Sequence, residues 1–581
     1  MKLQIREYCI RCGMCEDLHP QLFKLNTEAD KVDILYDEIP AELEDDARQA
    51  MADCAITAIF KDGAQTIQEI NRIGEDLEVD VAVMGSGLAG FTAAVTLARK
   101  GVKVAVFEKR PFQGGSVSNT PIAFGNYKSD NRSRAKAFKE FFGMNHYNAN
   151  PDVIRSFIND SSRIPEFIEF IGEKMIPVGR GEINMKLKEA KNKENIVPED
   201  ESPRDSYIIK GRGNGHGAAV VIYKCMQKLR ELGGELYLDS PVVDLIRDGN
   251  KVVGVVVKNN QTGKTYNVKA GAVIIASGGF PEDREMVKQY TGHIFTDEKC
   301  SDGGNVLFNY FPGSRLTGDG HKLAWAAGGA KGSMGINGHN LVPGPGIIGN
   351  TPWVVFNETR TIQEQPYLWV NQNGERFIDE TQSRNHLAMG TSISNQPQKC
   401  GYILFDEDTK LHRENEGVEF LYFIFPVPKL TNVTGQFEKL INEIHNEHVF
   451  MADTLEELCS QTGIDFAGLT KTLENYNRYC DEGFDEQYFK DAAYLRPVRR
   501  GKFYALRVFC GGYSTTGGIK INGDCAVVDE NGRAIPGLYS AGDCACGEIF
   551  GNPPTGGMGN ATISMSQGFT CADKSMEYIG K

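Results

Sequence analysis

The chain is 581 residues long, 41% hydrophobic and 24% charged, with 64 glycines and a formal net charge of -14. At roughly 100–200 residues per domain, that length excludes a single core, and the balanced composition excludes disorder. A negative chain without clustered Lys and Arg excludes the nucleic-acid backbone as a partner, which leaves small molecules and proteins.

Met1 to Arg6 carries no apolar core of the ~7–15 residues that a secretory signal needs, which predicts a cytoplasmic protein. Residues 1–62 form a unit with strand-like ends, a cysteine run and the helical pattern Ala41 to Ala52. Cys9, Cys12 and Cys15 stand at two-residue spacing, and Cys54 follows. Three closely spaced thiolates can wrap one side of a cubane while a remote fourth closes the far corner, so these residues are the candidate ligands of one 4Fe-4S cluster. Four thiolates also suit zinc, but zinc sites usually pair two short cysteine hooks. The segment resembles single-cluster bacterial ferredoxins and implies a small α+β domain of that type. It departs from their pattern at Ala55, where proline is usual.

A polar linker, residues 63–78, leads to an apolar strand, a glycine turn, an alanine-rich helix and a second apolar strand, between Val79 and Glu108. Val81 to Ala98 is an uncharged, apolar stretch approaching membrane-span length, yet Gly85, Gly87 and Gly90 interrupt it where a membrane helix would be continuous, so no membrane span is expected. Gly85-x-Gly87-x-x-Gly90 follows a strand and opens a helix, and Glu108 ends the next strand, in register for a dinucleotide. The glycines bring backbone N–H groups and the helix N-terminus to a pyrophosphate, and Glu108 can accept ribose hydroxyls. Lys109 beside it is a further candidate contact.

Helical stretches are expected at Ser133 to Gly143 and Asp152 to Lys174, then a charged surface excursion, Lys186 to Arg204. A helix-strand alternation resumes at Gly217, and Ala272 to Gly279 reads as a buried strand ending in a glycine turn. From 343 to 510 the texture changes to mixed strands and helices, including the amphipathic stretch Leu455 to Tyr479, which predicts an inserted α+β capping domain. The nucleotide-fold texture returns over 511–581, completing a domain begun at 79–342. The expected fold class is α/β: a Rossmann-type domain carrying the cap, behind the small N-terminal domain.

Gly114-Gly115-Ser116, Ser277-Gly278-Gly279 and the run Ile535 to Asp543 together resemble the fumarate reductase and 3-ketosteroid dehydrogenase flavoprotein superfamily over residues 79–581. The resemblance implies FAD, with Gly542 and Asp543 near its ribityl and pyrophosphate portion and Gly114, Gly115 and Ser116 near the isoalloxazine. No histidine lies between Gly114 and Gly125, so the flavin is expected to be non-covalent. A second nucleotide fingerprint is missing, because Gly211-x-Gly213-x-Gly215 follows Lys210 and lacks an acidic partner.

Gly374 to Arg384 resembles the stretch of soluble fumarate reductases and urocanate reductase that ends in their catalytic arginine, which puts Arg384 at the proton donor. On the residues alone, Arg384 could instead pair with Asp379 or Glu380. The proton relay of those enzymes needs an upstream acid, and that position falls near Glu358 or Arg360. Where fumarate reductases hold a substrate-binding histidine, this chain has Tyr513-Ser514-Thr515-Thr516-Gly517-Gly518. Asn552 to Gly559 instead looks like the proline-glycine loop of the ketosteroid dehydrogenases, whose ketone-polarising N–H would fall at Gly557; Pro553 stands where they have a tyrosine. Tyr513 is thus a second proton handler, and Ser514 and Gly557 are candidate substrate contacts.

Together these residues predict an iron–sulfur flavoprotein reducing an electron-poor, carbonyl-conjugated C=C bond, fed through its cluster by a one-electron donor such as a ferredoxin or flavodoxin. Two rivals stand beside it: an α,β-dehydrogenase sending electrons outward, and an electron-transfer protein without its own organic substrate. Self-association is left open.

Overall fold

The computed structural model describes residues 1–6, 9, 13–26, 31–54, 58–63, 76–115, 123–144, 147–177, 204–209, 217–291, 316–342, 357–384, 386–420, 429–550 and 560–581. The N-terminal domain pairs its two ends, Leu3–Ile5 with Ile59–Lys61, antiparallel, and adds a hairpin of Phe23–Asn26 with Lys31–Ile34. Its helix Glu44–Asp53 follows a short 3-10 turn, Ala41–Leu43, and lays Ala47 and Ala50 against Leu3, Leu22, Phe23 and Ile59. Alanines let the helix approach this small sheet closely, which a domain of about 60 residues needs to bury enough surface.

The nucleotide-binding domain is built on an eight-stranded sheet. Its parallel part runs Glu235–Tyr237, Val104–Phe107, Leu77–Met84, Thr265–Ile275, Ala534–Ser540. The long strand Thr265–Ile275 forks. Its first half pairs antiparallel with Lys251–Lys258, and Val273 to Ile275 pair with Leu538 to Ser540. Strands covered on both faces read as apolar runs, which is why Val79–Met84 and Ala272–Ile275 were legible as buried. The helices Leu88–Arg99, Gly217–Glu231 and Asn560–Tyr578 cover this core.

The cap is a five-stranded sheet around the long strand Phe503–Ile519. Side chains alternate strictly between its faces. Tyr367, Trp369, Ile403, Phe405, Tyr504 and Leu506 meet the helix Val433–Asn442 on one side. Leu368, Val370, Tyr402, Leu404, Phe503 and Ala505 meet the helices Leu455–Thr462 and Phe466–Glu482 on the other.

Phe503–Ile519 runs without a break through position 510, where the sequence placed the end of the cap, and pairs with Lys331–Leu341 from the other side of the expected seam. One strand therefore belongs to the cap sheet at one end and reaches the nucleotide domain at the other, through Gly517 N–H donating to Asp543 O at 2.6 Å.

Two expected helices are divided. Asp152 to Lys174 becomes Pro151–Ser161 and Ile164–Phe170, because Pro165 lacks an N–H and its ring clashes with the preceding turn. Leu455 to Tyr479 breaks at Gly463, whose φ of +74° ends one helix, and Asp465 caps the next by accepting from Gly468 N. Except for Arg204, the excursion Lys186 to Arg204 lies outside the described residues. No helix among the described residues is long and apolar enough to cross a membrane.

Candidate functional site

A cleft opens at the carboxyl ends of the parallel strands, where ligands bind in open α/β sheets. Gly85, Gly87, Glu108, Lys109, Gly114, Gly115, Gly278, Gly542 and Asp543 all line it. The sequence singled out all nine, from four separate stretches of chain. Ser116 lies outside the described residues.

The three fingerprint glycines do different work. A Cβ on Gly85, whose φ is +104°, would sit 2.5 Å from Ala276 O, and one on Gly90 would sit 2.0 Å from Gly85 O, so both hold the turn closed. A Cβ on Gly87 would meet nothing nearer than 3.9 Å. That open side is where a pyrophosphate fits. The helix Leu88–Arg99 starts there with no side-chain cap and no acidic residue in its first turn, leaving its first N–H groups and its dipole to an anion. These features fit FAD. Gly90→Ala is expected to lower the flavin content of purified protein at least about tenfold while leaving its iron unchanged, since backbone must move to admit the methyl; equal flavin in both proteins would contradict the role of this turn.

Glu108 is buried, and its carboxylate is already engaged. One oxygen accepts from Ser86 N (3.1 Å) and Ser86 Oγ (2.7 Å), the other from Arg110 N (3.1 Å) and Nε (3.0 Å). A carboxylate offers about four lone-pair sites, so a ribose diol must displace some of these donors. Ser86 Oγ in turn accepts from Gly114 N at 3.0 Å, which ties the first glycine turn to the second. Ser86 and Arg110 escaped the sequence reading, although both stand beside motif residues. Lys109 is turned to the far wall, donating to Thr317 Oγ1 (3.0 Å) and Asp319 Oδ2 (2.7 Å).

At the other end of the cleft, Thr515 Oγ1 accepts from Phe280 N at 2.6 Å, just past Gly278. His321 is wholly buried, which pushes its pKa down to about 4. The neutral ring pairs through Nε2 with Gly517 O at 2.8 Å, and because a carbonyl only accepts, Nε2 carries the proton. Tyr513 and Ser514 lie on the same strand, a few residues before Gly517, whose N–H donates to the carbonyl of the cleft-lining Asp543. Their side chains, and all of Gly557, lie outside what the structure describes.

Arg384 ends the 3-10 turn Glu380–Arg384; its side chain is likewise outside the description. The turn is anchored by a buried charge network. Arg376 forks onto Glu380 (2.9 and 2.8 Å) and onto Asp485 (3.0 and 2.9 Å), and Lys490 Nζ reaches Glu380 at 3.3 Å. Burial alone would raise the Glu380 pKa, but Lys490 and Arg376 overcome it and hold the carboxyl below its ordinary value. Glu380 is therefore committed to other cations. Glu358 is committed too, accepting from Thr431 N, Thr431 Oγ1 and Asn432 N at 2.7 to 2.9 Å. Of Arg360 only the backbone is described. The helix His386–Ser394 after Arg384 packs on the paired strands Lys331–Leu341 and Phe503–Ile519.

In the N-terminal domain, Cys9, Cys15 and Cys54 pack against one small core; Cys12 lies outside the described residues. Burial pushes the Cys15 thiol up to about 12, with Cys9 and Cys54 adding to it. Thiolates crowded this way need a cationic centre, and an amide donates to one of them, Ala58 N to Cys54 Sγ at 3.1 Å. The donor set fits an iron–sulfur cluster.

Fold and sites together define an iron–sulfur flavoprotein. Residues 80–559 match the FAD binding domain family, and the chain belongs to it. Residues 6–60 match the 4Fe-4S single cluster domain of Ferredoxin I. The protein is an FAD-dependent oxidoreductase with one 4Fe-4S cluster. It is 26% identical over 484 residues to the vinyl phenol reductase of Lactiplantibacillus plantarum, a match covering 81% of this chain and 90% of that protein. It is 27% identical over 488 residues to the urocanate reductase of Eggerthella lenta, covering 81% and 70%. The fold is shared with 3-ketosteroid delta1-dehydrogenase from Sterolibacterium denitrificans, at a TM-score of 0.63, 20% identity and coverage of 86% and 99%.

Proposed function

We propose that the protein reduces an electron-poor C=C bond conjugated to a carbonyl, with electrons entering through the cluster and the proton coming from Arg384. Bound FAD supplies the hydride, and the cluster supplies its electrons singly. The observation that carries this reading is one strand, Phe503–Ile519: the helix that follows Arg384 packs on it, and its Gly517 N–H donates to the carbonyl of Asp543, a residue that lines the FAD cleft. That two relatives are named as reductases of vinyl phenol and urocanate, both of which contain a C=C bond, supports the reduction of a C=C bond.

Within this reading the glycine turn and the uncapped helix bind the pyrophosphate, and Glu108 takes the ribose after yielding Ser86 or Arg110 side-chain bonds. The buried Arg376 network fixes the backbone turn that ends at Arg384. An arginine is a poor acid, and a dry, fixed position shortens the proton's path. The cap excludes water. Ser514 and the Gly557 N–H orient the substrate, and with Glu358 and Glu380 both committed, Arg384 regains its proton from another donor.

Mixing photoreduced protein anaerobically with a panel of enones and enoates tests the reading. Flavin reoxidation by at least one of them in a single turnover, with the saturated product recovered, is expected. Oxidation of saturated analogues alone would favour the dehydrogenase with Tyr513 as proton handler, and indifference to both would leave only electron transfer. Acid precipitation is expected to release the flavin as FAD into the supernatant; colour retained in the pellet would contradict non-covalent binding.

A further inference from the structure

Asp53, the residue before the last cluster cysteine, makes a hydrogen bond from the N-terminal domain to the nucleotide domain. Tyr223, buried on the helix Gly217–Glu231 of the nucleotide domain, donates its hydroxyl to Asp53 Oδ1 at 2.6 Å. Gln227, one turn further along that helix, donates to the same hydroxyl at 2.7 Å. On the N-terminal side Asp53 is held by Gln49 Nε2 at 3.0 Å and by His19 Nε2 at 3.2 Å. The bond is therefore aligned from both domains.

Apolar packing follows the same seam. Met14 and Ala58, each beside a cluster cysteine or its amide, are buried in the nucleotide domain's core together with Tyr223 and Met226, and Cys9 and Cys54 pack against that core. The cysteine-bearing face of the small domain is thus the face turned inward. The helix Gly217–Glu231 in turn packs on Leu88–Arg99, the helix that opens at the pyrophosphate turn.

We propose that Tyr223 is a positioning residue for electron exchange: its hydroxyl pins Asp53, and with it Cys54 and the cluster, against the nucleotide domain, making this chain's own flavin the cluster's redox partner on that face. The proposal rests on the reading that electrons pass between cluster and FAD, and it holds for either direction and for any organic substrate. Each transfer moves one electron from cluster to flavin, two of them filling it; no bond forms or breaks at Tyr223, and it gives up no proton. The reductant is an external one-electron donor such as a viologen radical.

The test compares wild type, Tyr223→Phe, Asp53→Asn and the double variant, without any alkene. Iron, FAD and the cluster's EPR spectrum are measured first. Flavin reduction by reduced viologen is then followed by stopped flow, with the rate in Cys12→Ala subtracted as the direct component. Tyr223→Phe is expected to keep both cofactors and the spectrum while lowering the cluster-dependent rate about tenfold, the population shift that goes with losing a hydrogen bond to a charged acceptor. The double variant is expected to be no slower than the slower single one, because both remove one interaction. An unchanged rate, a loss of iron, or multiplying effects would each overturn the proposal.

Discussion

Arg384→Gln is expected to lower turnover about 10²–10⁴-fold, the usual effect of removing a general acid, with FAD and iron contents unchanged. Glutamine keeps some hydrogen bonding but has no proton to give. Arg384→Lys is not a mild control, because lysine lacks the planar fork and holds its charge at a single point. The comparison of kcat with KM decides the role. If KM rises and kcat holds, the arginine binds ground and transition states equally and delivers no proton, and Tyr513 becomes the donor to test.

Cys12→Ala is expected to abolish turnover driven by a one-electron donor while leaving FAD bound. Removing one of four thiolates strips the cluster of a corner ligand, whereas the flavin cleft is formed by other elements. Flavin reduced directly by light in this variant should still reduce substrate once. Retained donor-driven turnover would make the cluster structural.

The parts of the site written as backbone geometry were legible in the sequence. Gly85 and Gly90 have no alternative at a turn where a Cβ would come within 2.0 to 2.5 Å of a backbone oxygen, and Glu108 follows at the end of the next strand. The cysteine spacing was readable for the same reason: three ligands of one cluster must lie close in sequence. Contacts between distant stretches left no such pattern. Nothing in the sequence ties Arg376 to Asp485, or Asp53 to Tyr223, since each pair is set by how separate elements pack. The change of composition near 510 does not interrupt the backbone: the strand Phe503–Ile519 passes from the cap's apolar interior into a glycine-rich stretch. Glu358 could be picked out as a relay position by alignment, but only hydrogen bonds show its carboxylate spent on Thr431 and Asn432.

The central claim, that electrons enter singly at the cluster and leave as a pair onto a C=C bond, is tested most directly by stoichiometry. Anaerobic enzyme is supplied with a one-electron donor and a conjugated alkene, and donor oxidation and saturated product are counted together. The account predicts two donor molecules oxidised for each double bond reduced, at a rate lost in both Arg384→Gln and Cys12→Ala. Donor oxidised without loss of the alkene, or product formed equally fast in Cys12→Ala, would contradict it.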